Sequence, residues 1–170
     1  MSMSYAVVYS SRTGNTEKLA KHIHNILGEE KCAYFGGVPK EVPDAKVIFA
    51  GFWTDKGICC EEMAEFLEKL EGRTIFLFGT AGFGGAKEYF DQILNRVSAF
   101  LSEDCTIQGT YMCQGSMPDS VRQRYEAMQE KNPDDPKIKA MLENFDRALS
   151  HPDEADLQAL EGEIYRVWKA

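Results

Sequence analysis

The sequence predicts an α/β protein built on a doubly wound parallel sheet, and three observations predict it. Five short apolar segments alternate with amphipathic helical patterns along almost all of the 170 residues, the arrangement of parallel strands joined by crossover helices. The central segments are near-continuous apolar runs, as strands covered on both faces are. The three least ordinary loops, residues 10–16, 52–59 and 80–85, each follow such a run. In a parallel sheet they converge outside the carboxyl ends of the strands, where ligands bind.

The elements follow in order. Tyr5-Ala6-Val7-Val8-Tyr9 is the first strand, and Leu19, Ala20, Ile23, Ile26 and Leu27 share one face of the helix after it. Residues 33–35 form a short strand suited to a sheet edge. Residues 46–52 are a buried strand, followed by a helix carrying Met63, Phe66, Leu67 and Leu70. Residues 74–79 give the clearest strand. Beyond the next loop, Tyr89, Phe90, Ile93, Leu94, Val97, Phe100 and Leu101 point a helix inward, and residues 106–113 are the fifth strand. A terminal helix with Leu157, Leu160, Ile164, Val167 and Trp168 begins near Pro152, a residue suited to a first turn, with Asp153 and Glu154 complementing the helix dipole. Between strand five and that helix, residues 115–150 form an insert. It carries two helical patterns (Val121, Tyr125, Met128, then Ile138, Met141, Leu142, Phe145, Leu149) split by Asn132-Pro133-Asp134-Asp135-Pro136. The expectation is a single domain with this insert near the strand ends, shaping access to a ligand and not its binding.

Composition narrows the partners. Lys+Arg 19 against Asp+Glu 27 leave a net charge of −8, which disfavours nucleic acid and anionic membranes and favours partners with basic docking faces. No apolar stretch is long enough to span a bilayer, and the N-terminus lacks the basic region of a signal peptide. Five cysteines, an odd number without zinc-type spacing, read as reduced thiols of a cytoplasmic protein. The adjacent pair Cys59-Cys60 bridges poorly and reads as packing. His22, His24 and His151 lie away from the three loops, and none reads as a catalytic base.

The loop Ser10-Ser11-Arg12-Thr13-Gly14-Asn15-Thr16 leads from a strand into a helix N-terminus. Unpaired N–H groups and the positive end of the dipole hold a phosphate there without a metal or lysine. Strand one ends in Ser-Ser-Arg, without the clustered acids of a receiver domain or the cysteine nucleophile of a small phosphatase. The turn holds a phosphate and does not transfer one.

Val8-Tyr9-Ser10-Ser11-Arg12-Thr13-Gly14-Asn15-Thr16-Glu17 closely resembles the phosphate-loop signature of flavodoxins, which bind FMN and carry electrons. The resemblance implies a flavodoxin-like five-stranded sheet in the order 2-1-3-4-5. It implies that Ser11, Arg12, Thr13, Gly14, Asn15 and Thr16 hold the FMN phosphate, with Ser10 in the same cofactor-binding site. The isoalloxazine ring would then lie between Phe52, Trp53, Thr54, Asp55, Lys56 and Gly57 on one side and Gly79, Thr80, Ala81, Gly82, Phe83 and Gly84 on the other. Many flavodoxins carry an aromatic or methionine directly before the glycine of the second loop; here that residue is Lys56, and the tryptophan stands earlier, at Trp53. The function implied is FMN-dependent electron transfer between a reductase and an acceptor. The alternative is a small NAD(P)H-dependent FMN or quinone reductase, against which the absence of a G-x-G-x-x-G fingerprint weighs.

Overall fold

Successive residues of a strand point to opposite faces of its sheet, and here both faces are apolar. The computed structural model describes residues 4–84 and 86–168. The elements are β1 (Tyr5–Tyr9), α1 (Asn15–Leu27), β2 (Cys32–Gly36), β3 (Val47–Asp55), β4 (Ile58–Cys59), α2 (Glu61–Glu68), β5 (Thr74–Ala81), α3 (Lys87–Ser98), β6 (Thr106–Gln114), α4 (Asp119–Lys131), α5 (Pro136–Ala148) and α6 (Glu154–Val167). The sheet order is β2-β1-β3-β5-β6, all parallel, with β4 pairing antiparallel to the end of β3. Leaving out the two-residue β4, this is the expected 2-1-3-4-5 order.

Two cores result. Val8, Ile48, Ala50, Phe52, Ile75 and Leu77 pack with Met63, Phe66 and Leu67 of α2 and Ile93 and Val97 of α3. Tyr5, Val7, Val47, Phe49, Phe76 and Phe78, alternating with the first set, pack with Leu19 and Ile23 of α1 and Leu157, Leu160 and Ile164 of α6. Burial of each large apolar side chain contributes about 1.5–3 kcal/mol, so the central strands anchor both layers.

Several boundaries differ from expectation. β3 continues to Asp55 and β5 to Ala81, so Phe52–Asp55 and Thr80–Ala81 are strand and not loop. α3 stops at Ser98, and Phe100 and Leu101 pack beyond its end. α6 begins at Glu154, and Pro152 precedes the cap instead of occupying the first turn. Asp153 is the N-cap: its carboxylate accepts from the Asp156 N–H at 2.9 Å, while the Asp156 carboxylate accepts from the Asp153 N–H at 2.8 Å. That reciprocal cap, chiefly the Asp156 N–H, holds the Asp153 carboxyl below the usual carboxylate range. His151 sits on the same carboxylate, its Nδ1 2.6 Å from Asp156 Oδ2.

The insert forms an α4–α5 helical hairpin with a small core of its own, Tyr125, Ile138, Leu142 and Phe145. Met128 and Leu149, expected on the apolar stripes, are exposed, because that core is only one helix pair deep. No helix among the described residues is long and apolar enough to cross a membrane.

Phe52 and Gly79 form one packing unit. The Phe52 ring is fully buried, and a Cβ at Gly79 would lie 2.6 Å from it. Gly79→Ala should therefore destabilise the fold by about 1–3 kcal/mol in urea unfolding, the range for overpacking. Adding Phe52→Leu should return part of that loss.

Candidate functional site

The loop after β1 is built by its own hydroxyls. Gly14 adopts φ 92, where a side chain is strained, and caps α1 without a side-chain hydrogen bond. Ser11 supplies the missing cap: its Oγ accepts from the N–H groups of Gly14 and Glu17, both at 3.2 Å. Thr16 is fully buried and donates to the Phe52 carbonyl at 3.1 Å, with its Oγ1 also 3.1 Å from Thr80 Oγ1. The Thr16 hydroxyl, expected to meet a phosphate, instead joins α1 to the ends of β3 and β5. The Asn15 amide is engaged too: Nδ2 donates to Thr13 Oγ1 at 3.0 Å and to the Ser116 carbonyl at 2.7 Å. Ser116 Oγ returns a bond to Asn15 Oδ1 at 3.3 Å. Asn15 thus ties the loop to the start of the insert, 101 residues away in sequence.

The second loop is a hairpin. Asp55 pairs with Ile58 and Thr54 with Cys59, leaving Lys56 and Gly57 as a two-residue turn with φ 54 and 82. Two consecutive positive φ values mark the type I′ turn that matches the twist of paired strands. Lys56 is the sole non-glycine residue with positive φ among the described residues, a conformation costing an L-residue roughly 1–2 kcal/mol. Arg96 of α3 locks the turn from outside by donating Nη1 to the Gly57 carbonyl at 3.1 Å. Cys59 beneath is buried, and burial pushes its thiol up to about 11. Cys60 donates to Ser10 Oγ at 3.2 Å, so both cysteines are packing groups, as their adjacency suggested.

The third loop is held by the insert. The buried Asn144 of α5 donates to the Gly82 carbonyl at 3.1 Å and accepts from Gln114 Nε2 at 3.0 Å. Gln114 also donates to the Gly82 carbonyl at 3.0 Å. Met117 lies where a Cβ at Gly82 would be, 2.6 Å away. The insert was expected to shape access alone; it also holds the first and third loops, through Ser116 on the Asn15 side chain and Asn144 on the Gly82 carbonyl.

These loops surround a crevice of about 720 Å³ at the carboxyl ends of the strands. Arg12, Thr13 and Asn15 line one end, and the Arg12 guanidinium lies over the Trp53 ring, 5.5 Å from its centroid. Trp53, Thr54, Asp55, Lys56 and Gly57 line it from the end of β3 and the hairpin, and Thr80, Ala81, Gly82 and the exposed Phe83 from the end of β5 and the loop after it. Ser10, Ser11, Gly14, Thr16, Phe52, Gly79 and Gly84 do not line it. They shape it from behind through the contacts above, and Gly84 lies against Gln114. Thr54 Oγ1 is buried without a hydrogen-bond partner. Residues missed from the sequence complete the lining: Tyr89 of α3, and Gly115, Ser116, Met117, Pro118, Ser120, Val121, Arg124 and Tyr125 of the insert. Gly115-Ser116 follow a strand as the other three loops do, and that rule applied to β6 finds them. Nothing local separates Arg124 from an ordinary surface charge.

The family model for the flavodoxin domain matches residues 6–164. The chain belongs to the flavodoxin-domain family. Among family members it is similar to a flavodoxin-like domain-containing protein, BilS, of Clostridium symbiosum, 41% identical over 177 aligned positions covering 94% of this chain and 93% of that one. The BilS of Clostridioides difficile is 34% identical over 163, covering 91% and 90%. Among solved structures, a Lactobacillus acidophilus flavoprotein crystallised in complex with FMN has a TM-score of 0.50 at 12% identity, covering 74% of this chain and 99% of that one. That likeness supports the flavodoxin fold alone.

Asn144→Ala removes one partner each from the Gly82 carbonyl and the Gln114 amide. A loss of about 1–3 kcal/mol is expected in urea unfolding, the cost of leaving buried polar groups unpaired. Amide exchange of the third loop should accelerate more than that of β5.

Proposed function

We propose that this chain binds FMN in the crevice and transfers electrons between protein partners. The observation that carries the reading is the crevice itself. One end presents the α1 N-terminus, the Thr13 hydroxyl and the Arg12 guanidinium, a donor set suited to a phosphate. Trp53, with Arg12 over its ring, and the exposed Phe83 add aromatic surface suited to a flat ring. Bound there, FMN supplies reversible uptake of one or two electrons, and the protein orients it and tunes its potential. Lys56 raises that potential by favouring added negative charge, and Asp55 opposes it. The fixed I′ turn holds both charges in place.

The exposed Glu61, Glu62, Glu65 and Glu68 of α2, close in sequence after the hairpin, form an acidic flank for a basic partner face. The second reading, a small NAD(P)H-dependent reductase, is favoured by the insert, which walls the crevice as a substrate site requires. Mixing FMN-loaded protein with NADPH alone separates the two. The carrier stays yellow until a reductase is added, whereas the reductase bleaches directly.

Titration of apo-protein should show FMN bound several orders of magnitude more tightly than riboflavin. Three or four charge-assisted hydrogen bonds to phosphate amount to about 5–10 kcal/mol at most, and comparable affinities would overturn the phosphate assignment. Thr54→Val removes a buried hydroxyl that has no hydrogen-bond partner. The apo-protein should be no less stable in urea, since the substitution removes an unsatisfied group.

A further inference from the structure

The crevice has a further wall beyond the three loops assigned to the cofactor. The phosphate loop and the two ring loops account for one side of the space, yet Ser120, Val121, Arg124 and Tyr125 of α4 line it from the insert, joined by Met117 and by Tyr89 of α3. The charge of this lining is opposite to that of the molecule. Arg12, Lys56 and Arg124 stand against the single carboxylate of Asp55 in a chain of net −8. Among the described residues none of those three cations forms an ion pair. The contrast along α4 is sharp. Arg122, two residues earlier, is held by Glu126 and by both carboxylate oxygens of Asp146, at 2.5 to 3.2 Å. Arg124 meets no carboxylate and lies over the ring of the buried Tyr125, 5.7 Å from its centroid. A guanidinium on an aromatic face is held by packing and keeps its hydrogen-bond fork free.

We propose that this insert-side wall is a second binding subsite, for a small planar molecule bearing an oxyanion. Arg124 takes the anion. Tyr89, Val121 and Met117 take the flat apolar body, the usual division between a few polar anchors and an apolar lining. Arg12, beside the phosphate loop, is committed to the cofactor under the reading above, on which this proposal rests. Arg124 lines the same crevice from α4, outside the three loops assigned to the cofactor. The concave wall selects a small molecule, since a flat protein face meets the acidic α2 flank more readily than the interior of a crevice.

The test titrates FMN-loaded protein with anthraquinone-2-sulfonate by calorimetry, with NADPH as a phosphate-bearing arm and 2-methyl-1,4-naphthoquinone as an uncharged control. Saturable binding of at least one anionic probe is expected, weakening with added salt. Arg124→Glu should weaken it tenfold or more and Arg124→Lys should restore part of it, with the uncharged quinone indifferent to both. The arm that responds identifies the anion as a ring-borne acid group or a nucleotide phosphate. FMN occupancy is measured by flavin fluorescence on the same preparations, so that probe binding is compared at equal cofactor loading. Failure of FMN to bind would sink the cofactor reading by itself, while the probe titration still reads the wall. The proposal is overturned if neither anionic probe binds, if binding ignores Arg124, or if the probe binds only where FMN is absent and is displaced by it. Arg124-dependent binding of polyglutamate alone would overturn it in favour of an acidic protein face.

Discussion

The buried hydroxyl of Thr16 is the constraint on which the crevice depends. Its hydrogen bonds to the Phe52 carbonyl and the Thr80 hydroxyl join the first turn of α1 to the ends of β3 and β5. Without them the phosphate loop, the hairpin and the third loop would be three surface turns at neighbouring strand ends. A buried polar group must find partners inside the protein, so these bonds form together or leave unsatisfied groups behind. The preceding residue, Asn15, extends the chain of bonds outward to Ser116, and the four strand ends that bound the crevice become one hydrogen-bonded belt.

The insert closes that belt. Asn144 and Gln114 share the Gly82 carbonyl, and Ser116 shares the Asn15 side chain. The helical hairpin is therefore fastened at both ends of the crevice while its interior is a separate small core. A separate core with two polar attachments transmits position without adding much apolar burial to the main fold. This explains how an insertion outside the minimal five-stranded plan becomes part of the binding wall. It also places the cations Arg124 and Lys56 on opposite structural units, one on α4 and one on a turn locked by Arg96.

Charge is distributed on the same logic. The surface as a whole is acidic, and α2 carries four exposed glutamates beside the site. The crevice lining inverts that sign. An acidic exterior speeds encounter with basic protein faces, whereas a cationic interior retains small anions.

The sequence by itself determined the fold class, its resemblance to the flavodoxins implied the strand order, and it pointed to the strand ends where the crevice lies. Apolar runs flanked by 3.6-residue periodicity are local signals, and the rule that ligands gather at strand carboxyl ends converts them into a location. The hydroxyl-rich turn before α1 was legible for the same reason: its capping chemistry is local. Only the tertiary structure decided which of those hydroxyls face inward. Thr13 and Thr16 are alike in sequence, but Thr16 points at a carbonyl 36 residues away and Thr13 lines the crevice. Tertiary structure likewise decided that Phe52 and Gly79 are core, since one fills the space the other leaves empty, and that residues 54–59 fold back as a hairpin without an Asn-Gly or Asp-Gly turn. It also decided that Arg122 is paired and Arg124 is not. Those outcomes depend on long-range partners, and a pattern of residue types along one chain carries no record of which distant group each side chain meets.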